Sequence, residues 1–196
     1  MTRREEIIKV AKTLFREQGY KSVSMRDLAK AMDLKAASLY NHISSKEEIL
    51  AEIVLGVAYF FTKEMELVKS LKADSKTLLE AVINHHIELT LNNPEAIAIV
   101  NNDWIHLESS HFEEFLELRN AYEQDLRDMI SRGIEAGEIM PNNTEVMLFS
   151  MLSTLRTLHS WYRRRSGIDG EALKNDITEI LLNGIVAKPL KKIYQP

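Results

Sequence analysis

A chain of 196 residues with 45% hydrophobic content can bury a substantial core and divides naturally into one small and one larger unit. It holds no cysteine, which excludes disulfides, thiolate catalysis and cysteine-bound zinc together. The net charge of −4 is unevenly spread: residues 1–50 carry ten Lys or Arg against seven Asp or Glu, and the remaining 146 carry fifteen against twenty-two. Such a chain is no general polyanion binder, so affinity for nucleic acid has to come from one local basic face. The charged start Arg3-Arg4-Glu5-Glu6 excludes an ordinary signal peptide. The longest apolar run, residues 53–61, falls far short of a bilayer span, so a cytoplasmic protein without a membrane partner is expected.

Ile7, Ile8, Ala11, Leu14 and Phe15 recur at helical spacing, and Gly19 supplies a stop. Ser24, followed three residues later by Asp27, predicts the start of a second helix, because a short hydroxyl accepts an orphan backbone N–H and an acid suits the positive end of the helix dipole. Leu28, Ala29 and Met32 share one face of it, and a tight Met32-Asp33-Leu34 corner follows. A third helix is predicted over 35–41, with Leu39 and Ile43 turned inward. Two short helices joined by such a turn can place the second in the major groove of DNA. Ser45 and Glu48 then have the spacing of a capping box opening the next helix, which puts Lys46 in a first turn, among free N–H groups that favour a phosphate.

From residue 45 onward helices are predicted throughout: 46–72 as one long rod joining the two units, 75–91, 94–107 with Pro94 at its first position, 110–136, 144–165 and 171–186. The expected architecture is all-α, with a helix-turn-helix domain at 1–45, a larger helical bundle at 46–188 and a weakly structured tail at 189–196. The stripes on the last two helices, Met147, Met151, Leu152, Leu155 and Leu158, then Leu173, Ile177, Ile180 and Leu181, suit either internal core or a helix–helix interface. A reading head this small needs a two-fold partner to hold two half-sites about 34–36 Å apart, which favours a homodimer.

The elements Ala11-x-x-Leu14-Phe15-x-x-x-Gly19-Tyr20 and Leu39-Tyr40-x-His42-x-x-x-Lys46, with their helix spacing, resemble the DNA-binding domain of the tetracycline-repressor (TetR) family. The corner departs from that family's usual Gly-Val, and Asp33 can visit the left-handed conformation at modest cost. The resemblance implies double-stranded operator DNA as partner and assigns DNA contacts to Ser24, Arg26, Lys35, Ala36, Ala37, Ser38, Tyr40, His42 and Lys46. Tyr40 and Lys46 would touch phosphate; His42 either does so or packs as a neutral core histidine. Ser24 either caps alone or caps and touches phosphate, and Ala36, Ala37 and Ser38 would approach base edges.

The resemblance further implies that the last two helices form a dimer's four-helix bundle, with Gly184 permitting close approach, and that the middle helices enclose a pocket for a small-molecule effector. Its expected lining is Ile83, His86, Ile87, Thr90, Val100, Asn101, Trp104, Phe112, Phe115, Tyr122, Met147 and Met151, although periodicity does not separate a cavity wall from a filled interior. No Arg or Lys belongs to that set, which favours a neutral, elongated or aromatic effector. A weaker similarity joins Trp161-Tyr162-Arg163-Arg164-Arg165-Ser166-Gly167 to TetR-type regulators of fatty-acid and aromatic-acid breakdown, some of which answer to acyl-CoA thioesters. The implied outcome is an effector-controlled repressor with no resident cofactor and no enzymatic activity.

The alternative from another class is a helical-bundle metalloenzyme or metal-binding protein. Glu108-Ser109-Ser110-His111 is a Glu-x-x-His unit, Asp103-x-x-His106 precedes it, and His85 and His86 could add ligands. Both units sit on one broken stretch, whereas di-iron bundles draw theirs from separate helices. No catalytic Ser-His-Asp pattern and no glycine-rich phosphate loop is present.

Overall fold

The computed structural model describes residues 1–165 and 167–184, and within them the regular structure is entirely helical. Each helix of the amino-terminal head begins and ends where local chemistry dictates. α1 (Arg3–Gln18) opens on a Thr2–Glu5 capping box and stops at Gly19, whose φ of 82° a side chain would resist. α2 (Met25–Ala31) opens on the reciprocal Ser24–Asp27 pair and ends at the expected corner, where Asp33 takes φ 54°. α3 (Ala36–Tyr40) is one residue shorter at each end than predicted, with Lys35 and Asn41 as its caps.

Phe15, Ile7, Leu28, Leu39 and Ile43 are fully enclosed between these helices. Ile8, Ala11, Tyr20, Val23, Met25 and Ala29 are buried around them, which is still a small core for a unit of about fifty residues. The head gains the rest from the body: its hydrophobic cluster runs on through Ile49, Ile53 and Val54 to Ile97, Ile99, Leu107 and Phe115. The change of unit expected at residue 45 is therefore a change of helix, while the packing is continuous across it.

α4 (Lys46–Ser70) leaves the head without a linker and packs against α5 (Ser75–Asn92), α6 (Pro94–Asp103) and α7 (Ser109–Glu135). The predicted capping box at its start is half formed. Ser45 accepts from the Glu48 amide, but the Glu48 carboxylate accepts from the Ser44 amide at 2.6 Å and pairs with Arg4. α6 ends earlier than predicted, because Trp104–His106 tightens into a 3₁₀ turn before Leu107. α8 (Thr144–Arg163) and α9 (Gly170–Asn183) complete the body.

A second cluster, Met65, Ile83, Ile87, Leu126, Met129, Leu152, Leu155 and Leu173 among others, fills the far end of the body. The two clusters meet at a seam rather than merging, and buried His86 and Thr90 lie along it. Gly184 closes α9 at φ 78° and serves as its stop. The remainder of the predicted 171–186 helix and the 189–196 tail lie outside the described residues. No helix among them is long and apolar enough to cross a membrane.

Candidate DNA-reading head and effector cavity

The residues predicted to meet DNA fall into three groups. Arg26, Lys35, Ala37, Tyr40 and His42 are exposed, and Tyr40 leaves about half of its surface uncovered. Neither Arg26 nor Lys35 joins an ion pair among the described residues. Ala36 and Ser38 are half-buried, Ala36 against the head's core. Ser24 is exposed but committed to its cap: its hydroxyl donates to Asp27 Oδ2 at 2.6 Å and accepts from the Asp27 amide at 3.2 Å. The hydroxyl's bond to Oδ2, with the Ser24 amide donating to the same oxygen at 2.8 Å, holds the Asp27 carboxyl below its ordinary pKa.

Lys46 is placed differently from the sequence expectation. Its ammonium donates to the Tyr20 carbonyl at 2.9 Å and the Val23 carbonyl at 2.8 Å, and stands 4.2 Å over the Tyr20 ring. Two of its three donors thus bind the turn between α1 and α2, and burial lowers its pKa. The side chain is a clamp inside the head; the free amides of the α4 first turn remain beside it.

At the seam between the two hydrophobic clusters lies a cavity of about 200 Å³. Seven expected residues line it: His86, Thr90, Val100, Asn101, Trp104, Phe115 and Tyr122. Five do not. Ile83, Ile87 and Met151 are enclosed in the second cluster with Met147 packed on it, and Phe112 stacks on the Trp104 ring at 5.5 Å. The same helical stripe that feeds a wall also fills a core, and only the third dimension separates them. Val57, Ala58, Phe61, Ile97, Leu118, Arg119, Leu155 and Arg156 complete the lining without having been foreseen.

The two arginines correct the expectation of a lining free of cations. Arg156 reaches Glu123 at 2.5 Å, and Arg119 Nε stands 4.0 Å from the same carboxylate. In sequence Arg119 and Glu123 form an i,i+4 pair, which reads as a solvated face. Deeper in, His86 Nε2 and the Tyr122 hydroxyl hydrogen bond at 2.9 Å, and the His86 ring lies 4.2 Å from Phe61. Burial, then the Arg156 charge, pulls the His86 pKa down to about 3, so the imidazole is neutral; burial pushes Tyr122 up. Asn101 Nδ2 donates to the Arg156 carbonyl at 2.7 Å, tying α6 to α8.

The 3₁₀ turn joins cavity to head. Trp104 lines the cavity, and two residues later His106 stacks on Tyr20 at 5.6 Å, the residue whose carbonyl Lys46 holds. Glu47, nearly buried, accepts from the Glu108 amide at 3.1 Å and pairs with His111 Nδ1 at 2.9 Å. The Glu108–His111 unit considered as a metal site is thus engaged in this junction. Among the described residues no group of three or more His, Asp or Glu is placed to hold a metal ion. At the far end of α8, Thr157, Ser160, Trp161, Arg164 and Arg165 line a shallow depression, with the Arg165 guanidinium 5.5 Å over Trp161.

A helix-turn-helix head packed without a linker onto a helical body with an internal cavity is the architecture of a DNA-binding transcriptional regulator. The family descriptions "Bacterial regulatory proteins, tetR family" and "Tetracyclin repressor-like, C-terminal domain" match residues 7–53 and 72–185, and the chain belongs to the TetR family. It is similar to the HTH-type transcriptional repressor KstR2 of Rhodococcus jostii, 28% identical over 188 residues that span 94% of this chain and 92% of the relative. Its fold matches that of the ketosteroid transcriptional regulator KstR2 of Mycobacterium tuberculosis with a TM-score of 0.88 at 21% identity, over 95% of this chain and 96% of the other. It also matches AibR, solved with isovaleryl coenzyme A and operator DNA, with a TM-score of 0.81 at 23% identity over 92% and 98% of the two chains.

Proposed function

We propose that this regulator is a homodimeric repressor that holds operator DNA through α2, α3 and the start of α4, and releases it when a small molecule occupies the cavity. The observation that carries the reading is the continuous packing from cavity to head: Trp104 in the cavity wall, His106 on Tyr20, and Lys46 clamping Tyr20 and Val23. An occupant that displaces Trp104 acts on the seat of the head through rigid contacts, with no flexible linker to absorb the movement. Arg26, Lys35 and Tyr40 supply phosphate contacts in this reading, and Ala37 with Ser38 stands nearest the bases.

Support for the dimer comes from the outer face of α8 and α9. Val146, Phe149, Trp161 and Ile180 are exposed by 60%, 71%, 44% and 46%, an apolar surface that two such helices from each protomer would cover as a four-helix bundle. The apolar cavity suits the acyl part of a lipid-like or aryl acid derivative, in keeping with the ligand named for AibR and with the similarity of residues 161–167 to acyl-CoA-responsive regulators.

Sequencing the genomic fragments retained by the purified protein tests the first half of the proposal, with sedimentation giving the oligomeric state. The expected result is enrichment of one palindromic site by a dimer; a monomer with no preference over random competitor refutes it. Effector and operator must weaken each other's binding by the same factor, which titrations in both orders measure.

A further inference from the structure

We infer that the cavity recognises its effector as a free monocarboxylic acid, with the carboxylate held between Arg119 and Arg156 and the hydrocarbon inside. This rests on the reading of the cavity as the effector site. Arg119 comes from α7 and Arg156 from α8, and both line the cavity. Among the described residues they share one acid, Glu123, so there the pair keeps one uncompensated positive charge. Their side chains are 32% and 40% exposed, which places them at the mouth rather than the floor.

Arg119 is prepared for a ligand in two ways. Its guanidinium lies 4.8 Å over Trp104 and 6.0 Å from Phe115, so the planar fork is held by aromatic faces before anything binds. Its Nε is shielded from water and has no hydrogen-bond partner among the described residues. A buried donor without an acceptor is costly, and a carboxylate oxygen removes that cost. Beyond the mouth the wall is mainly apolar, from Val57, Ile97 and Leu155 among others, with Thr90, Asn101 and the neutral His86–Tyr122 pair as its polar groups.

Charge and volume select the class. One surplus cation matches one carboxylate; a thioester carbonyl is neutral and leaves that cation unpaired. At ~20–30 Å³ per non-hydrogen atom, on the scale of one water in the liquid, about 200 Å³ holds roughly seven to ten such atoms. Counting its two oxygens, an acid of about five to eight carbons, linear or aryl, fits.

The test measures binding of hexanoate, octanoate, decanoate, their methyl esters and octanoyl-CoA to the full chain by calorimetry, and release of its selected operator fragment by each. Octanoate is expected to bind at least tenfold more tightly than its methyl ester and more tightly than octanoyl-CoA. In Arg119→Gln and Arg156→Gln that acid-to-ester ratio falls toward one, a readout that does not depend on overall stability. Glu123→Gln raises acid affinity several-fold by removing the competing carboxylate. Equal binding of acid and ester, or tighter binding of octanoyl-CoA with a ratio indifferent to the arginines, overturns this inference and leaves the effector cavity standing. If no compound binds and none releases DNA, the cavity reading falls and takes this inference with it.

Discussion

Replacing Lys46 by methionine keeps most of the aliphatic stem and removes the ammonium that joins the Tyr20 and Val23 carbonyls at 2.9 and 2.8 Å. Hydrogen bonds from a charged donor contribute about 1.5–3 kcal/mol each when well buried. The Lys46 site is only half-buried, so water screens the charge and can reach the freed carbonyls, and about 1 kcal/mol per bond is the better scale. The contact with the Tyr20 ring at 4.2 Å adds about 0.5–1 kcal/mol, part of which a methionine sulfur against the same ring returns. The expected loss is about 2 kcal/mol, or roughly 4–8 °C in Tm for a chain of this length. Thermal unfolding at fixed protomer concentration measures it, because assembly shifts the midpoint by mass action.

The same variant distinguishes the clamp from a phosphate contact. A lysine that neutralises one phosphate contributes about 0.9 to the slope of log affinity against log salt. The clamp instead predicts weaker DNA binding with that slope nearly intact, since the head loses its seat rather than a counterion-releasing charge. An unchanged Tm together with a slope lowered by about 0.9 would refute the clamp and return Lys46 to the DNA surface.

Tyr40→Phe is expected to weaken binding about three- to tenfold on specific and random duplexes alike, the scale of one hydroxyl hydrogen bond, as anisotropy titrations would show. Asp33→Val forces a β-branched residue to φ 54° and is expected to cost about 1–2 kcal/mol in urea unfolding, while Asp33→Gly keeps or improves stability. Gly133→Ala places a Cβ 2.5 Å from Ile139 Cδ1 and 2.8 Å from Ser75 Cβ, an overpacked contact expected to cost about 1–3 kcal/mol; an unchanged midpoint would show that the α5–α7 junction yields freely. His86 has a folded-state pKa near 3, so between about pH 6.5 and pH 3 the unfolded chain takes a proton that the folded chain refuses. Stability therefore falls as pH drops through that window, by up to about 1.4 kcal/mol per pH unit from this group, and His86→Gln should flatten the decline.

Local chemistry carried most of the fold. The Ser24–Asp27 start, the Asp33 corner, the Gly19 stop and Pro94 at the head of α6 are decisions between residues a few positions apart, and each is legible because the partners are neighbours along the chain. The head was readable for the same reason, down to the exposed Tyr40. What the sequence did not disclose were contacts whose partner is distant along the chain. Lys46 bonds carbonyls 26 and 23 positions away, and Glu47 meets His111 across 64.

The cavity shows the same division more sharply. Amphipathic stripes marked the faces of α5 to α8 that turn inward, yet Ile83 and Ile87 fill a core while His86 and Thr90, on the same helix, line a void. Arg119 and Arg156 escaped notice because an arginine on a helix reads as surface until another helix brings its guanidinium to a cavity mouth. The sequence by itself determined the helices, their ends and the reading head, since these rest on hydrogen bonds and dihedral preferences within a turn or two. Only the tertiary structure decided which inward faces met and which stayed apart, because a void is a property of several helices at once and no single stretch of chain contains it.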